Sequence, residues 1–392
     1  MDRNTPQIFS ARITPAGVSP VELSADRLSS DGISSDDEAS GDAVTRECGL
    51  RVVAIGGGTG LSTLLKGLKR FAVSPAELSA AKTNTTVIRD LCAVVTVSDD
   101  GGSSGRLRKE LNMLPPGDIR NCIVALSEDE ALLSRLFRHR FEKGSGLEGH
   151  SFGNLFLAAL TSLTGDFSEA VRLSSEILVT RGHIYPATTS NIELEALMED
   201  GSRVRGETNI TASKVRIREL FLVPPDVEPM PQTMDAIAQA DIITIGPGSL
   251  FTSLIPNLLV HGIAQAIVRS SAIKVYVCNL MTQANESLGL TAADHIRALN
   301  RHAQEQIFDY ALLNRVPVSE ELKAKYAMEG ACQIVNDLSE IEALGVIPVL
   351  GEYLDEGDVA RHSTSRVAQD VLHLAHRHLR GGKKESPATT SK

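Results

Sequence analysis

Long apolar runs are missing from this sequence: none approaches the roughly 18 residues that a membrane-spanning helix needs. The N-terminus opens on acidic and polar residues, without the apolar stretch of a signal peptide. A soluble, cytoplasmic protein with no membrane insertion is therefore expected. Cysteine is sparse. Cys48, Cys92, Cys122, Cys278 and Cys332 lie far apart with no C-x-x-C pair, which argues against a metal or disulfide framework. Three of them sit in the apolar runs LCAVVTV, NCIVAL and KVYVCNL, where reduced, buried thiols are expected. A basic surplus is missing as well. The chain has 49 acidic and 39 basic residues, a formal net charge of −10. Residues 1–47 hold nine of those acids and four Lys/Arg, so they carry −5 and leave the remainder only mildly acidic. Such a balance makes nucleic acid and an anionic membrane surface poor partners.

What is present is ordinary globular composition, 42% hydrophobic and 22% charged over 392 residues, enough for a large core with a secondary lobe. Residues 1–48 are rich in Ser, Asp, Pro and Gly, as in LSSDGISSDDEASGD, and cannot bury enough apolar surface to offset ordering. A disordered extension is expected there, and again over 381–392. Between them, in a single domain over 49–380, short β-branched runs alternate with helical patterns. RVVAI (51–55), LCAVVTV (91–97), DIITIG (241–246), KVYVCNL (274–280), IFDYALL (307–313) and VIPVL (346–350) read as strands. The last helix covers about 364–380, with Val367, Val371, Leu374 and His378 on one stripe. This alternation predicts an α/β fold, a Rossmann-like, doubly wound and mostly parallel sheet. A β-rich insert near 183–225 breaks it and should form a small flanking lobe.

Gly56-Gly57-Gly58-Thr59-Gly60 lies directly between the first strand and the helical pattern LSTLLKGLKRF. Bare backbone there lets N–H groups approach a diphosphate, and the helix N-terminus adds partial positive charge. Neither G-x-G-x-x-G nor Walker A is satisfied, since Leu61 stands at the sixth position and no Gly-Lys-Ser/Thr follows. Phosphate binding is favoured over a mere tight turn. A second turn, Gly246-Pro247-Gly248-Ser249, follows the strand at 241–245, and two such turns at strand carboxyl ends can face one crevice.

Asp99 and Asp100 follow the second strand in SDDGGSSG, where an acid could take a ribose hydroxyl or hold a divalent ion such as Mg2+. A solvated acidic turn is the alternative. Asp118, in PPGDIRN, stands where a helix N-cap belongs, so capping and ligand binding both remain open. Arg106, Arg108, Lys109 and Arg120 place positive charge near these turns, or on a helix surface. Gly149-His150-Ser151-Phe152-Gly153 matches the serine-hydrolase elbow, but HRFEKGSGLEG before it is no buried strand, so that reading falls. Ser151 and Asn154 could line a pocket or cap the apolar helix that follows. His373, His376 and His378 fall on several faces of the last helix and read as surface residues.

With these residues assembled, the chain resembles the YvcK-like gluconeogenesis factor family, inside the wider group of CofD-type 2-phospho-L-lactate transferases. The stretches that carry the resemblance are VVAIGGGTGLSTLLKGLK, VVTVSDDGGSSGRLR, PPGDIRNCIVAL, GHSFGNLFLAAL, IGPGSLFTSLIPNLLV, VCNLMTQANESLGLTAADHIRAL, LKAKYAMEG and DVARHSTSRVA. They run in order from about 50 to 375. The resemblance implies a Rossmann-like core and a nucleotide-sugar ligand such as UDP-N-acetylglucosamine. It also implies a role in cell shape and peptidoglycan supply under gluconeogenic growth, with protein partners in cell-wall synthesis and self-association as further expectations. Carried onto this chain, the family's contacts suggest Thr59, Tyr326 in AKYAME and Arg361 in VARHST. Gly56, Gly57, Gly58, Gly60, Gly246, Gly248, Ser249 and Asn279 are the candidates beside them. In the transferase branch, metal-binding acids occupy loops that resemble those holding Asp99, Asp100 and Asp118.

The chain departs from the family in three places. TQPGET becomes TQANES (282–287), Phe251 replaces a tyrosine, and an insert around 72–90 should lengthen a surface loop. A nucleotide-sugar-binding regulator is the favoured function. A metal-dependent transfer of a phospholactyl group to a deazaflavin ranks second, and a nicotinamide dehydrogenase a distant third. Thr364, in RHSTS, is an expected phosphorylation site.

Overall fold

The computed structural model describes residues 21–22, 49–80, 86–128 and 132–381. Seven strands of the large sheet form where aliphatic and β-branched residues run nearly unbroken: β2 (Leu50–Gly56), β3 (Ile88–Val95), β4 (His183–Pro186), β8 (Ile242–Ile245), β9 (Ile273–Val277), β10 (Tyr310–Asn314) and β11 (Ile347–Gly351). A two-residue strand, β1 (Val21–Glu22), adds to the β11 edge. All pairings are parallel, in the order β1-β11-β10-β9-β8-β2-β3-β4. Every residue of β8 and β9 is buried, as a parallel strand covered on both faces requires.

Helices supply those covers. α1 (Gly58–Leu68) packs on α4 (Gly117–Leu126) and on α15 (Thr364–Gly381), while α7 (Phe167–Ile177) lies against β4. Helix α9 (Pro231–Gln239) packs on α11 (Ile263–Arg269), which packs on α10 (Ile255–Leu259) and through it on α12 (Ala292–Ala303), and α14 (Leu338–Ala343) joins α12 to β11. The chain leaves β2 in one direction, through β3 to β4, then returns to β8 on the other side of β2. This is the doubly wound order, and its switch point lies between β2 and β8.

The flanking lobe is a three-stranded antiparallel sheet, β6 (Arg203–Arg205), β5 (Glu193–Met198) and β7 (Ile217–Val223), in that order. His183–Pro186, included in the expected insert, instead forms the edge of the large sheet. Glu207–Ala212, within a stretch that reads as strands and turns, is the short helix α8. The stretch around 72–90 is more than a loop, because Pro75–Ala80 forms α2. Residues 1–20, 23–48 and 382–392, most of the two expected disordered tails, lie outside the described residues. Cys92, Cys122 and Cys278 are buried, whereas Cys332 is exposed; Cys48 is outside the described set. Among the described residues, no single helix is long and apolar enough to cross a membrane.

Candidate ligand-binding crevice

The switch point brings the two glycine turns into contact. A Cβ on Gly60 would stand 2.3 Å from the Pro247 carbonyl oxygen and 2.9 Å from Gly248 Cα. One on Gly57 would stand 2.6 Å from Thr96 Cγ2 and 2.8 Å from Asp118 Oδ2. Side chains are excluded here first by the protein itself, so these glycines reflect packing as much as ligand access. Gly58 has φ +62°, where a Cβ is strained in any setting. Gly57 serves as the N-cap of α1 without a capping side chain, and Thr59 is exposed. The N–H groups of Thr59 and Gly60 meet no protein acceptor among the described residues, as expected for the first turn of an uncapped helix.

The second turn differs, because several of its donors are already bound. Gly248 N–H donates to Asn279 Oδ1 at 3.0 Å, and Asn279 Nδ2 returns a bond to Gly248 O at 2.7 Å. Glu286 Oε1 accepts from the N–H groups of Phe251 and Thr252 at 3.0 and 2.8 Å, filling the helix start with a buried carboxylate. Ser249 Oγ accepts from Gln283 Nε2 at 2.8 Å. Gly246, Gly248, Ser249 and Asn279 thus form a rigid wall for the crevice. Glu286 and Gln283 both lie in TQANES. Its Asn285 takes φ +61°, a region that asparagine tolerates better than most residues.

The three aspartates do different work. Asp100 Oδ1 accepts from Thr208 N–H and Oγ at 2.9 and 2.6 Å, tying α8 and the small lobe to the crevice. Asp99 Oδ1 accepts from Gly101 N–H at 2.9 Å, closing its own loop. Asp118 is no N-cap, since Pro116 holds that position and Asp118 lies inside the first turn of α4. Its carboxylate points at the glycine turn. Burial pushes its pKa up to about 6, with the Gly58 N–H pulling the other way, the Asp99 charge adding to the rise and Arg120 opposing it. Glu207, at the start of α8, is the residue that the sequence did not single out. Burial, then the charges of Asp99, Asp118, Asp100 and Glu286, push it up to about 9. It therefore enters neutral solution as an uncharged acid. Among the described residues no group of three ligating side chains is placed to hold a metal ion.

Tyr326 and Arg361 come together on one side. Tyr326 lies in α13 (Glu320–Ala327), and Arg361 in the hairpin of β12 (Leu354–Glu356) and β13 (Ala360–His362). Tyr326 Oη accepts from Ala360 N–H at 3.2 Å, and Arg361 is exposed. His362 Nε2 meets Cys278 O at 2.9 Å, which fixes the hairpin beside the end of β9, one residue from Asn279. Burial lowers the His362 pKa to about 4, so it is neutral and Nε2 carries the donated proton.

The three arginines of this group also hold protein acceptors of their own. Arg106 donates to Glu148 O and Arg108 to Ile192 O. Arg120 donates to Ser151 Oγ at 2.6 Å, Asn154 Oδ1 at 3.1 Å and Asn121 Oδ1 at 2.7 Å. Ser151 also caps the helix α6 (Phe152–Thr164), accepting from Asn154 N–H at 3.3 Å. Thr364 begins α15, with its carbonyl packed against Gly67. A concavity of about 530 Å³ is lined by residues such as Leu258, His261, Arg269 and His302, and by none of the candidate residues of the crevice. The glycine contacts and the unbound amides are the better guide to a phosphate site, because phosphate recognition needs donors more than volume.

A family model described as 2-phospho-L-lactate transferase CofD matches residues 52–354. The chain belongs to the CofD family. Within it, the chain groups with gluconeogenesis factors. That of Halalkalibacterium halodurans is 49% identical over 322 residues, which is 82% of this chain and 95% of the relative. That of Bacillus subtilis is 46% identical over 325 residues, 83% and 98% of the two chains. A crystal structure of a UPF0052-family member from Bacillus halodurans, 48% identical, superposes with a TM-score of 0.76 over 82% of this chain and 99% of its own. The CofD match spans β2 to β12 and takes in both turns, all the crevice acids and Tyr326, while Arg361 lies just past its end.

Proposed function

We propose that this CofD-family protein binds the diphosphate of a nucleotide sugar, of the UDP-N-acetylglucosamine type, at the β2–β8 switch point. It acts in the cytoplasm, without catalysis of its own, as a gluconeogenesis factor. In that role it links cell shape and peptidoglycan supply to carbon source, through partners in cell-wall synthesis. The observation that carries this reading is the pair of open N–H groups at Thr59 and Gly60, at the positive end of α1, where Gly60 packs against the second turn. Arg361 supplies charge to the diphosphate and Tyr326 packs on the base or sugar. Asp99 and Asp118 would repel a bare diphosphate. Asp99 and Asp118 would be the residues to hold a Mg2+ ion, which would offset that repulsion, since Mg2+ commonly takes one or two carboxylates plus substrate phosphates.

A thermal-shift panel of uridine and guanosine diphosphate sugars, with Mg2+ or with chelator, tests the reading. A ligand at about 100 times its Kd stabilises the fold by about 2.7 kcal/mol. A rise in Tm with a uridine diphosphate sugar, larger with Mg2+, is expected; no rise with any member of the panel contradicts the proposal. The second reading, a phospholactyl transferase, draws support from the family description and from the acids Asp99, Asp118 and Glu207 beside the open amides. Incubation with magnesium, a guanylylated phospholactate and a deazaflavin acceptor separates the two: coupled product supports the transferase, its absence the regulator.

A further inference from the structure

Beyond the first glycine turn, a second helix start is left open. Helix α3 (Gly102–Leu111) has Gly101 as its N-cap, with no capping side chain. Gly105 N–H donates to Gly101 O at 2.9 Å, but the N–H groups of Gly102, Ser103 and Ser104 meet no protein acceptor among the described residues. Uncapped helix starts are common, and what sets this one apart is its pair of serines. Ser103 Oγ is held twice, by His150 Nδ1 at 2.9 Å and by Asn154 Nδ2 at 3.1 Å. His150 stands between α5 (Leu132–Arg138) and α6, so this anchor fixes the first turn of α3. Ser104 is only 3% exposed, yet its hydroxyl has no protein partner among the described residues and is not sealed in. A hydroxyl this buried ordinarily finds a partner within the fold.

Ser104 Oγ lies 2.5 Å from the point at which a Cβ on Gly117 would stand, and Asp99 Oδ2 lies 3.0 Å from the same point. A side chain on Gly117 would fill the gap between them. Asp99 Oδ1 accepts from Gly101 N–H, whereas Oδ2 meets no protein donor among the described residues. Gly102, exposed and at φ +47°, would carry a Cβ into space with no atom within 4 Å, so the crevice is open before this turn. A carboxylate oxygen, a hydroxyl and amide donors around one gap suit sugar hydroxyls, each of which both donates and accepts. A second phosphate suits them less, because Asp99 and the neighbouring Asp118 would repel it. Strand order then gives the ligand its direction. The order β9-β8-β2-β3 sets the hairpin that Tyr326 bonds beside β9 and α3 beyond β3, on opposite sides of the first glycine turn. A nucleotide sugar carries its diphosphate in the middle. With that group on Thr59 and Gly60, the base falls to Tyr326 and the hexose to α3.

We propose that the hexose of the nucleotide sugar lies across the start of α3, its hydroxyls donating to Asp99 Oδ2 and accepting from Ser104 Oγ and the first-turn N–H groups. Asp99 Oδ2 can take a hydroxyl proton beside a metal ion, since a carboxylate offers about four lone-pair sites. The placement rests on the diphosphate reading, and ligands with and without the hexose separate the two. Calorimetry of the full chain with Mg2+ should show UDP-N-acetylglucosamine binding more tightly than UDP. Ser104→Ala should weaken the sugar nucleotide about five- to tenfold, leave UDP unchanged, and keep Tm, because the lost hydroxyl bonds nothing in the fold. Gly102→Asn should have the same selective effect, since asparagine tolerates the left-handed φ and its side chain enters the open gap. Either variant holding UDP-N-acetylglucosamine as the wild type does, or losing UDP to the same degree, overturns the hexose placement and leaves the diphosphate site standing. A wild-type chain that binds neither ligand overturns both.

Discussion

Asp118 sits between two demands: its carboxylate lies against the glycine turn, yet it is held there at the expense of hydration. The folded state raises its pKa from 3.8 to about 6, so ionising it costs more in the fold than in the unfolded chain. Its contribution to stability is full below pH 3.8 and is lost as pH rises through about 6. Asp118→Asn is therefore expected to raise unfolding free energy at pH 8 by about 1–2 kcal/mol, and to leave it nearly unchanged at pH 3.5. Urea titrations at the two pH values decide this, and an equal effect at both would contradict it. Arg361→Ala, on an exposed side chain, should leave stability alone and weaken nucleotide-sugar binding by at least about 1 kcal/mol. Calorimetry with unchanged affinity would remove Arg361 from the site. At this scale the sequence was only partly legible. Asp99, Asp100 and Asp118 stood out as loop acids, but Asp100 proved to be a clamp on a helix 108 positions away, which no local pattern reveals. Glu207 carried no motif at all and matters only because that clamp brings it to the crevice.

Among the elements, the two glycine turns show how one residue type serves different needs. Gly60→Ala would drive a methyl into the Pro247 backbone at 2.3 Å, whereas at Gly56 the nearest atom is 3.4 Å away. The first change should cost about 1–3 kcal/mol and the second less than about 1 kcal/mol. Equal losses, measured by chemical denaturation, would show that the turns do not touch as described. Glu286→Ala leaves the Phe251 and Thr252 N–H groups without their acceptor and should destabilise by about 2 kcal/mol. A loss under about 0.5 kcal/mol would mean that another group fills the helix start. The strands were legible because β-branched runs such as RVVAI and IITI have little alternative. ETNITA was not, because a six-residue helix with β-branched residues has weak propensity and depends on Asp100 for its N-terminus.

For the whole molecule, alternation of strand and helix predicts the doubly wound class, and the order found, with β2 and β8 adjacent, makes that expectation specific. It places the two glycine turns side by side, so the candidate crevice follows from topology and not from either motif alone. In the second turn Asn279 and Glu286 take up the Gly248, Phe251 and Thr252 donors, which leaves fewer of them open there. All else rests on Thr59 and Gly60. Amide chemical shifts in 15N-labelled protein, followed during titration with UDP-N-acetylglucosamine and Mg2+, test this directly. The Thr59 and Gly60 signals should move together and saturate, while those of Phe251 and Thr252 stay near their starting positions. Saturable binding that leaves Thr59 and Gly60 unmoved would contradict the account.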